Sequence, residues 1–78
     1  MKLELFKRDS CPYCVKGMML IDELGVGDQI EYCDISRDAD ARRRLLEVGG
    51  KQQVPCLFID GEPLYESADI MRWIEANL

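Results

Sequence analysis

The sequence predicts a single α/β domain whose elements run βαβ and then αββα, spanning residues 1–78. Three observations carry that reading. Charged and apolar residues alternate over residues 2–7, the period of a strand. Apolar residues at helical spacing follow Pro12 until Gly25 and Gly27 end them. Further on, Cys56-Leu57-Phe58-Ile59 is an unbroken apolar run with Asp60-Gly61 directly behind it, a central strand and then a hairpin turn.

The first strand carries Leu3 and Leu5, with Phe6 near its end, and Arg8-Asp9-Ser10 forms a loop. Ser10 or Cys11 caps the first helix, and Pro12 takes the first helical position, where its missing N–H costs nothing. Val15, Met18, Met19 and Leu24 make that helix's apolar stripe. Residues 29–35 read as the second strand, and residues 36–40 as a helix start. The second helix carries Leu45, Leu46 and Val48 until Gly49-Gly50 stops it. Gln53-Val54-Pro55 leads into the third strand, and residues 62–65 form its short partner, with Pro63 suited to an edge. Ser67 caps a last helix that turns Ile70, Met71 and Ile74 inward and leaves Trp73 partly buried.

Seventy-eight residues, 47% of them apolar, suit one core near the lower size limit for unaided folding. A net charge of −5 argues against nucleic acid and against anionic membrane surfaces. The positive charges are uneven, with Lys7 and Arg8 beside Cys11 and Arg42, Arg43, Arg44 and Lys51 later, so a local basic rim could still bind a small anion, although Arg42 to Arg44 read as a solvated helix face. The first five residues have no signal-like h-region, and no apolar run approaches the ~20 residues that span a bilayer. The expected location is therefore cytoplasmic, where thiols stay reduced and a CxxC is more often catalytic than structural.

Cys11-Pro12-Tyr13-Cys14 is such a pair, placed after a strand and at the start of a helix. Two thiols at this spacing can close a small disulfide ring, although the same spacing supplies half of many zinc sites. Cys11 faces unpaired N–H groups and the positive end of the helix dipole, which favour a thiolate, so it is the candidate nucleophile. The chain has no histidine, so activation must come from the dipole, from Arg8 or Lys7, and from the neighbouring thiol. Cys14, inside the first turn, is the candidate resolving thiol. Tyr13 should flank the thiolate with an exposed ring. Cys33 reads as a buried apolar filler, and Cys56 as near the site in sequence with its side chain on the other face of its strand.

The chain resembles a glutaredoxin of the thioredoxin superfamily over nearly its whole length. The likeness rests on Phe6 and Arg8-Asp9-Ser10-Cys11-Pro12-Tyr13-Cys14, on Gln53-Val54-Pro55 with Leu57-Phe58-Ile59-Asp60-Gly61, and on Ser67-Ala68-Asp69. The resemblance implies a thioredoxin-like fold, a four-stranded mixed sheet flanked by helices, and a cis Val54–Pro55 bond. It also implies thiol–disulfide exchange through Cys11 and Cys14, with glutathione as co-substrate and with disulfide or glutathionylated proteins as partners. No bound cofactor or metal is implied, and a monomer is expected. Arg8 stands where glutaredoxins usually have a lysine that meets the glycine carboxylate of glutathione, and Lys51 matches a second basic residue so used. Val54 would pair with the cysteinyl backbone. Ser67 would take the γ-glutamyl carboxylate at the helix start and Asp69 its ammonium.

Tyr65 and Glu66 stand where glutaredoxins usually have a Gly-Gly pair. The run from Leu64 to Ile70 is instead similar to the N-terminal domain of glutathione S-transferases, where a Glu-Ser pair binds the γ-glutamyl end, so Glu66 joins the candidate ligands. Two alternatives stay open. The missing glycines favour a thioredoxin-like electron donor reduced by a flavoprotein reductase. Cys11 could also hold an iron–sulfur cluster or zinc, which Pro12 disfavours.

Overall fold

The computed structural model describes Met1 to Leu78. Its elements are β1 (Leu3–Lys7), α1 (Pro12–Leu24), a 3-10 turn at Gly27–Gln29, β2 (Glu31–Asp34), α2 (Ala39–Gly49), β3 (Cys56–Ile59), β4 (Glu62–Leu64) and α3 (Ser67–Asn77). The four strands lie in the order β2-β1-β3-β4. β1 runs parallel to β2 and antiparallel to β3, and β3 runs antiparallel to β4. The predicted element order and mixed sheet are thus present in a thioredoxin-like fold. No helix is long and apolar enough to cross a membrane.

Strand side chains alternate between the two faces, and here both faces are covered. Leu3, Leu5 and Leu57 enter one core with Ile21 of α1 and Ile70 and Ile74 of α3. Phe6, Cys56 and Phe58 enter a second core with Ala41 and Leu45 of α2. The Phe6 and Phe58 rings meet with centroids 4.3 Å apart.

Double coverage overturns the solvated reading of Arg44. Glu4 shares the Phe6 face, lies under α2 and is buried. Arg44 reaches over it with Nη1 2.8 Å from Oε2 and Nη2 3.1 Å from Oε1. The guanidinium also lies 5.5 Å from the Phe6 ring and 5.8 Å from Phe58. A charge this deep is tolerated because both carboxylate oxygens are engaged.

The helices are offset from their sequence-based faces. α1 buries Cys14, Gly17 and Ile21, while Val15, Met19 and Leu24 are exposed and Met18 packs at the margin. The inward residues follow the i, i+3, i+7 rule from Cys14, so the polar-looking thiol sets the face. In α2, Leu45 is buried but Leu46 and Val48 are exposed. That helix begins at Ala39, because the Asp38 carboxylate accepts the N–H groups of Asp40 and Ala41 at 3.0 and 3.2 Å. β2 is shorter than residues 29–35, and β4 ends at Leu64, before Tyr65. Asp60 and Gly61 both take positive φ, 50° and 87°, as a tight hairpin of right-handed twist requires.

Candidate active site

Cys11, rather than Ser10, is the N-cap of α1, with φ −89° and ψ 115°, and Pro12 begins the helix. The Cys11 Sγ accepts the Cys14 N–H at 3.3 Å and can donate to the Val54 carbonyl at 3.8 Å. The thiol therefore takes the place of a capping hydroxyl, satisfying an orphan helix N–H while facing the dipole. Burial works against its ionisation, yet the Cys14 thiol, the Cys14 and Tyr13 N–H groups and the Arg8 guanidinium together hold it below its ordinary value. Burial pushes the Cys14 thiol up to about 12. One accessible thiol that ionises readily beside a buried one that does not is the arrangement a nucleophile and its resolving partner need. All four cysteines are free.

Lys7 is engaged by carboxylates instead. Its ammonium bonds Asp9 at 2.6 Å and Asp34 at 3.5 Å, and Arg37 lies 3.7 Å and 3.6 Å from the same carboxylates.

Beside the thiol opens a cleft of about 410 Å³ lined by Tyr13, Gln53, Val54, Pro55, Glu66 and Ser67. The Val54–Pro55 bond is cis, as the resemblance implies. Tyr13 is well exposed, its ring 5.5 Å from the Lys16 ammonium. Ser67 is the first residue of α3 and not its cap: Glu66 holds that position with φ 71°, and no side chain caps the helix. The first helical N–H groups of α3 are consequently open at the cleft, a setting suited to a carboxylate.

Three of the expected ligands do not line the cleft. Arg8 acts on the thiols through its charge. Lys51 rests its ammonium 4.6 Å above the Tyr65 ring. Asp69 is ion-paired with Arg72 one turn on along α3. Two residues were missed. Gln53 lines the cleft and donates to Glu66 Oε1 at 3.4 Å; it was legible as the neighbour of Val54-Pro55. Tyr65 donates its hydroxyl to the Lys51 carbonyl at 2.8 Å; its signal was an aromatic residue where glycine is usual.

Cys33 and Cys56 lie apart from this chemistry. Cys56 is buried in the α2-side core, and burial raises its thiol to about 11. Cys33 is half-buried rather than buried, and burial, then the Glu4 and Glu31 charges, raise it to about 11. Its sulfur lies within 4.8 Å of the Glu4 and Glu31 oxygens. Both Glu4 oxygens are taken by Arg44, so this group is an ion pair rather than a cation cage.

Residues 10–77 match the family model for the N-terminal domain of glutathione S-transferases. Glutaredoxin 1 of Escherichia coli strain K12 is 30% identical over 83 residues, covering 100% of this chain and 98% of that protein. Among solved structures, a thioredoxin-like protein superposes with a TM-score of 0.81 at 28% identity, covering 99% of this chain and 100% of that one. A buckwheat glutaredoxin solved as a complex with glutathione gives a TM-score of 0.72 at 25% identity, covering 95% of this chain and 68% of that one. With the free thiol pair at a helix start beside a Val-Pro-lined cleft, these likenesses place the chain in the glutaredoxin family of the thioredoxin superfamily, and it is a thiol–disulfide oxidoreductase.

Proposed function

We propose that this protein is a dithiol glutaredoxin that reduces glutathionylated proteins and protein disulfides at the expense of glutathione. The observation that carries the reading is the Cys11 thiol, held below its ordinary value and 3.8 Å from the carbonyl of Val54, which lines a cleft with Tyr13, Pro55, Glu66 and Ser67. The Cys11 thiolate attacks the glutathionyl sulfur of a mixed disulfide. The S–S bond breaks, the protein thiolate leaves and takes a proton, and glutathione remains disulfide-bonded to Cys11. Either a second glutathione thiolate displaces it as glutathione disulfide, or Cys14, losing its proton as it attacks Cys11, expels it as free glutathione. In the second case two glutathiones then reduce the Cys11–Cys14 disulfide and leave as glutathione disulfide.

In the bound mixed disulfide, Val54 offers its backbone to the cysteinyl segment, and the open N–H groups at Ser67 receive the γ-glutamyl carboxylate. Arg8 supplies positive charge by the sulfur and Lys51 receives the glycine carboxylate. Asp69 is shared with Arg72 and does not line the cleft, so Glu66, already at the cleft, is the better partner.

The test is reduction of a glutathionylated peptide, coupled through glutathione and glutathione reductase to NADPH. Wild type and Cys14→Ser should both turn over, and Cys11→Ser should not. A second reading, an electron donor reduced by a flavoprotein reductase, is favoured by Tyr65 and Glu66 in place of Gly-Gly. It would be the better one if neither active form used glutathione while thioredoxin reductase reduced the wild-type disulfide.

A further inference from the structure

We propose that Tyr65 is a positioning residue that holds Lys51 in place for the carboxylate of a glutathionyl substrate, and so gives the cleft its preference for anionic disulfides. The inference rests on the glutathione reading above and adds to it the residue that sets one end of the site.

Lys51 follows the α2 C-cap, Gly50, and makes no ion pair with any acidic side chain. An ammonium on a four-carbon stem at such a place is ordinarily mobile, and ordering it on binding costs affinity. Two contacts with Tyr65 remove much of that freedom. The Tyr65 hydroxyl fixes the Lys51 backbone by donating to its carbonyl at 2.8 Å, and the ring seats the ammonium at 4.6 Å.

Tyr65 is itself held. Its ring packs on the core of Phe6, Leu45, Cys56 and Phe58. It immediately precedes Glu66, which lines the cleft, and Cys56 immediately follows Pro55. One side chain therefore ties the end of α2 to two of the segments that line the cleft. A glycine at this position could make none of these contacts. In a chain of net charge −5 whose cleft contains a carboxylate from Glu66, a cation fixed on the residue that precedes Glu66 matters for binding an anion.

The experiment measures thiol transfer to the Cys14→Ser protein from two forms of one peptide, one glutathionylated and one carrying cysteamine, which has no carboxylate. In both, the Cys11 thiolate displaces the peptide thiol and keeps the small thiol as a mixed disulfide. Tyr65→Phe keeps the ring and removes the hydroxyl. It should raise the half-saturating concentration of the glutathionylated peptide about threefold to tenfold, the range one hydrogen bond supports, with little change in limiting rate. The preference for that peptide over the cysteamine form should shrink by the same factor. Lys51→Gln should act likewise, and the double variant should be no worse than Lys51→Gln alone. Independent, multiplying effects of the two substitutions would overturn the proposal, as would a Tyr65→Phe loss that is equal for both peptides. A wild type with no preference between the peptides would instead sink the glutathione reading on which the proposal stands.

Discussion

The Tyr65 hydroxyl occupies the space into which a side chain at Gly49 would project, so the last residue of α2 and the residue after β4 exclude one another's growth. The Leu45 side chain closes the same space from the other side, 3.4 Å from where a Cβ would sit. Gly49→Ala therefore sets two effects against each other. Replacing a helical glycine gains up to about 1 kcal/mol, whereas overpacking costs about 1–3 kcal/mol. The ring is held in the core and its hydroxyl on Lys51, so the second effect should win. We expect Gly49→Ala to be less stable than wild type by about 1 kcal/mol in urea unfolding, and its loss to shrink in a Tyr65→Phe background. An alanine variant as stable as wild type would show that the tyrosine moves aside freely.

Arg44 and Glu4 should behave as a unit. Removing the guanidinium leaves a buried carboxylate uncompensated, and for a half-exposed partner we expect Arg44→Ala to cost about 2–3 kcal/mol. Glu4→Leu with Arg44→Met should recover most of that loss. The pair also has a pH signature. The Arg44 hydrogen bond, opposed by burial, holds the Glu4 carboxyl below its ordinary value. The unfolded state then binds the proton first, so the contribution is fully present above the unfolded pKa and fades as pH falls toward the folded one. Unfolding midpoints of wild type should drop below about pH 4 more steeply than those of Glu4→Gln.

Glu66 points to a different balance. Its φ of 71° lies where only glycine is at ease, and such positions cost about 1–3 kcal/mol. Glu66→Gly relieves that strain but loses about 0.5–1 kcal/mol to chain entropy, and it also loses the exposed bond from Gln53. The variant should be as stable as wild type or slightly more so, yet bind a glutathionylated peptide less well. A clear fall in thermal midpoint would mean that the Gln53 contact outweighs the backbone strain.

These cases also show what the sequence could and could not reveal. The order of elements and the place of Cys11 were legible because strand period, helix spacing and the Pro12 and Gly25 stops are local signals. The pairing of Glu4 with Arg44 was not. An alternating strand reads as half-solvated unless it is known that α2 will cover the charged face. The inward face of α1 was misread for a similar reason, since Cys14 sets it and a thiol is easily set aside as chemistry rather than packing. Lys51 and Tyr65 looked unrelated on paper. They meet only because the end of α2 is laid beside the exit of β4.

Thiol reactivity separates the four cysteines most directly. Burial holds Cys14, Cys33 and Cys56 protonated through neutral pH, while Cys11 alone is brought below its ordinary value and is the partly accessible member of the CxxC pair. Iodoacetamide at pH 7 should therefore alkylate one cysteine fast, and peptide mapping should place the label on Cys11. The rate should rise with pH to a midpoint below that of an ordinary free thiol. Arg8→Gln removes one of the charges that favours the thiolate, so it should move that midpoint upward and slow alkylation at pH 6 more than at pH 9. The same shift links to folding with a definite sign. The native state releases the Cys11 proton at lower pH than the unfolded chain, so Cys11 adds stability as pH rises through that window, against the other three thiols, which lose it as the unfolded chain deprotonates. Cys11→Ser should remove that share, so that stability falls more steeply toward alkaline pH, while leaving the acid-side behaviour of Glu4 in place. First label on Cys14 or Cys33, or a midpoint unmoved by Arg8→Gln, would mean that the helix start and Arg8 do not activate Cys11.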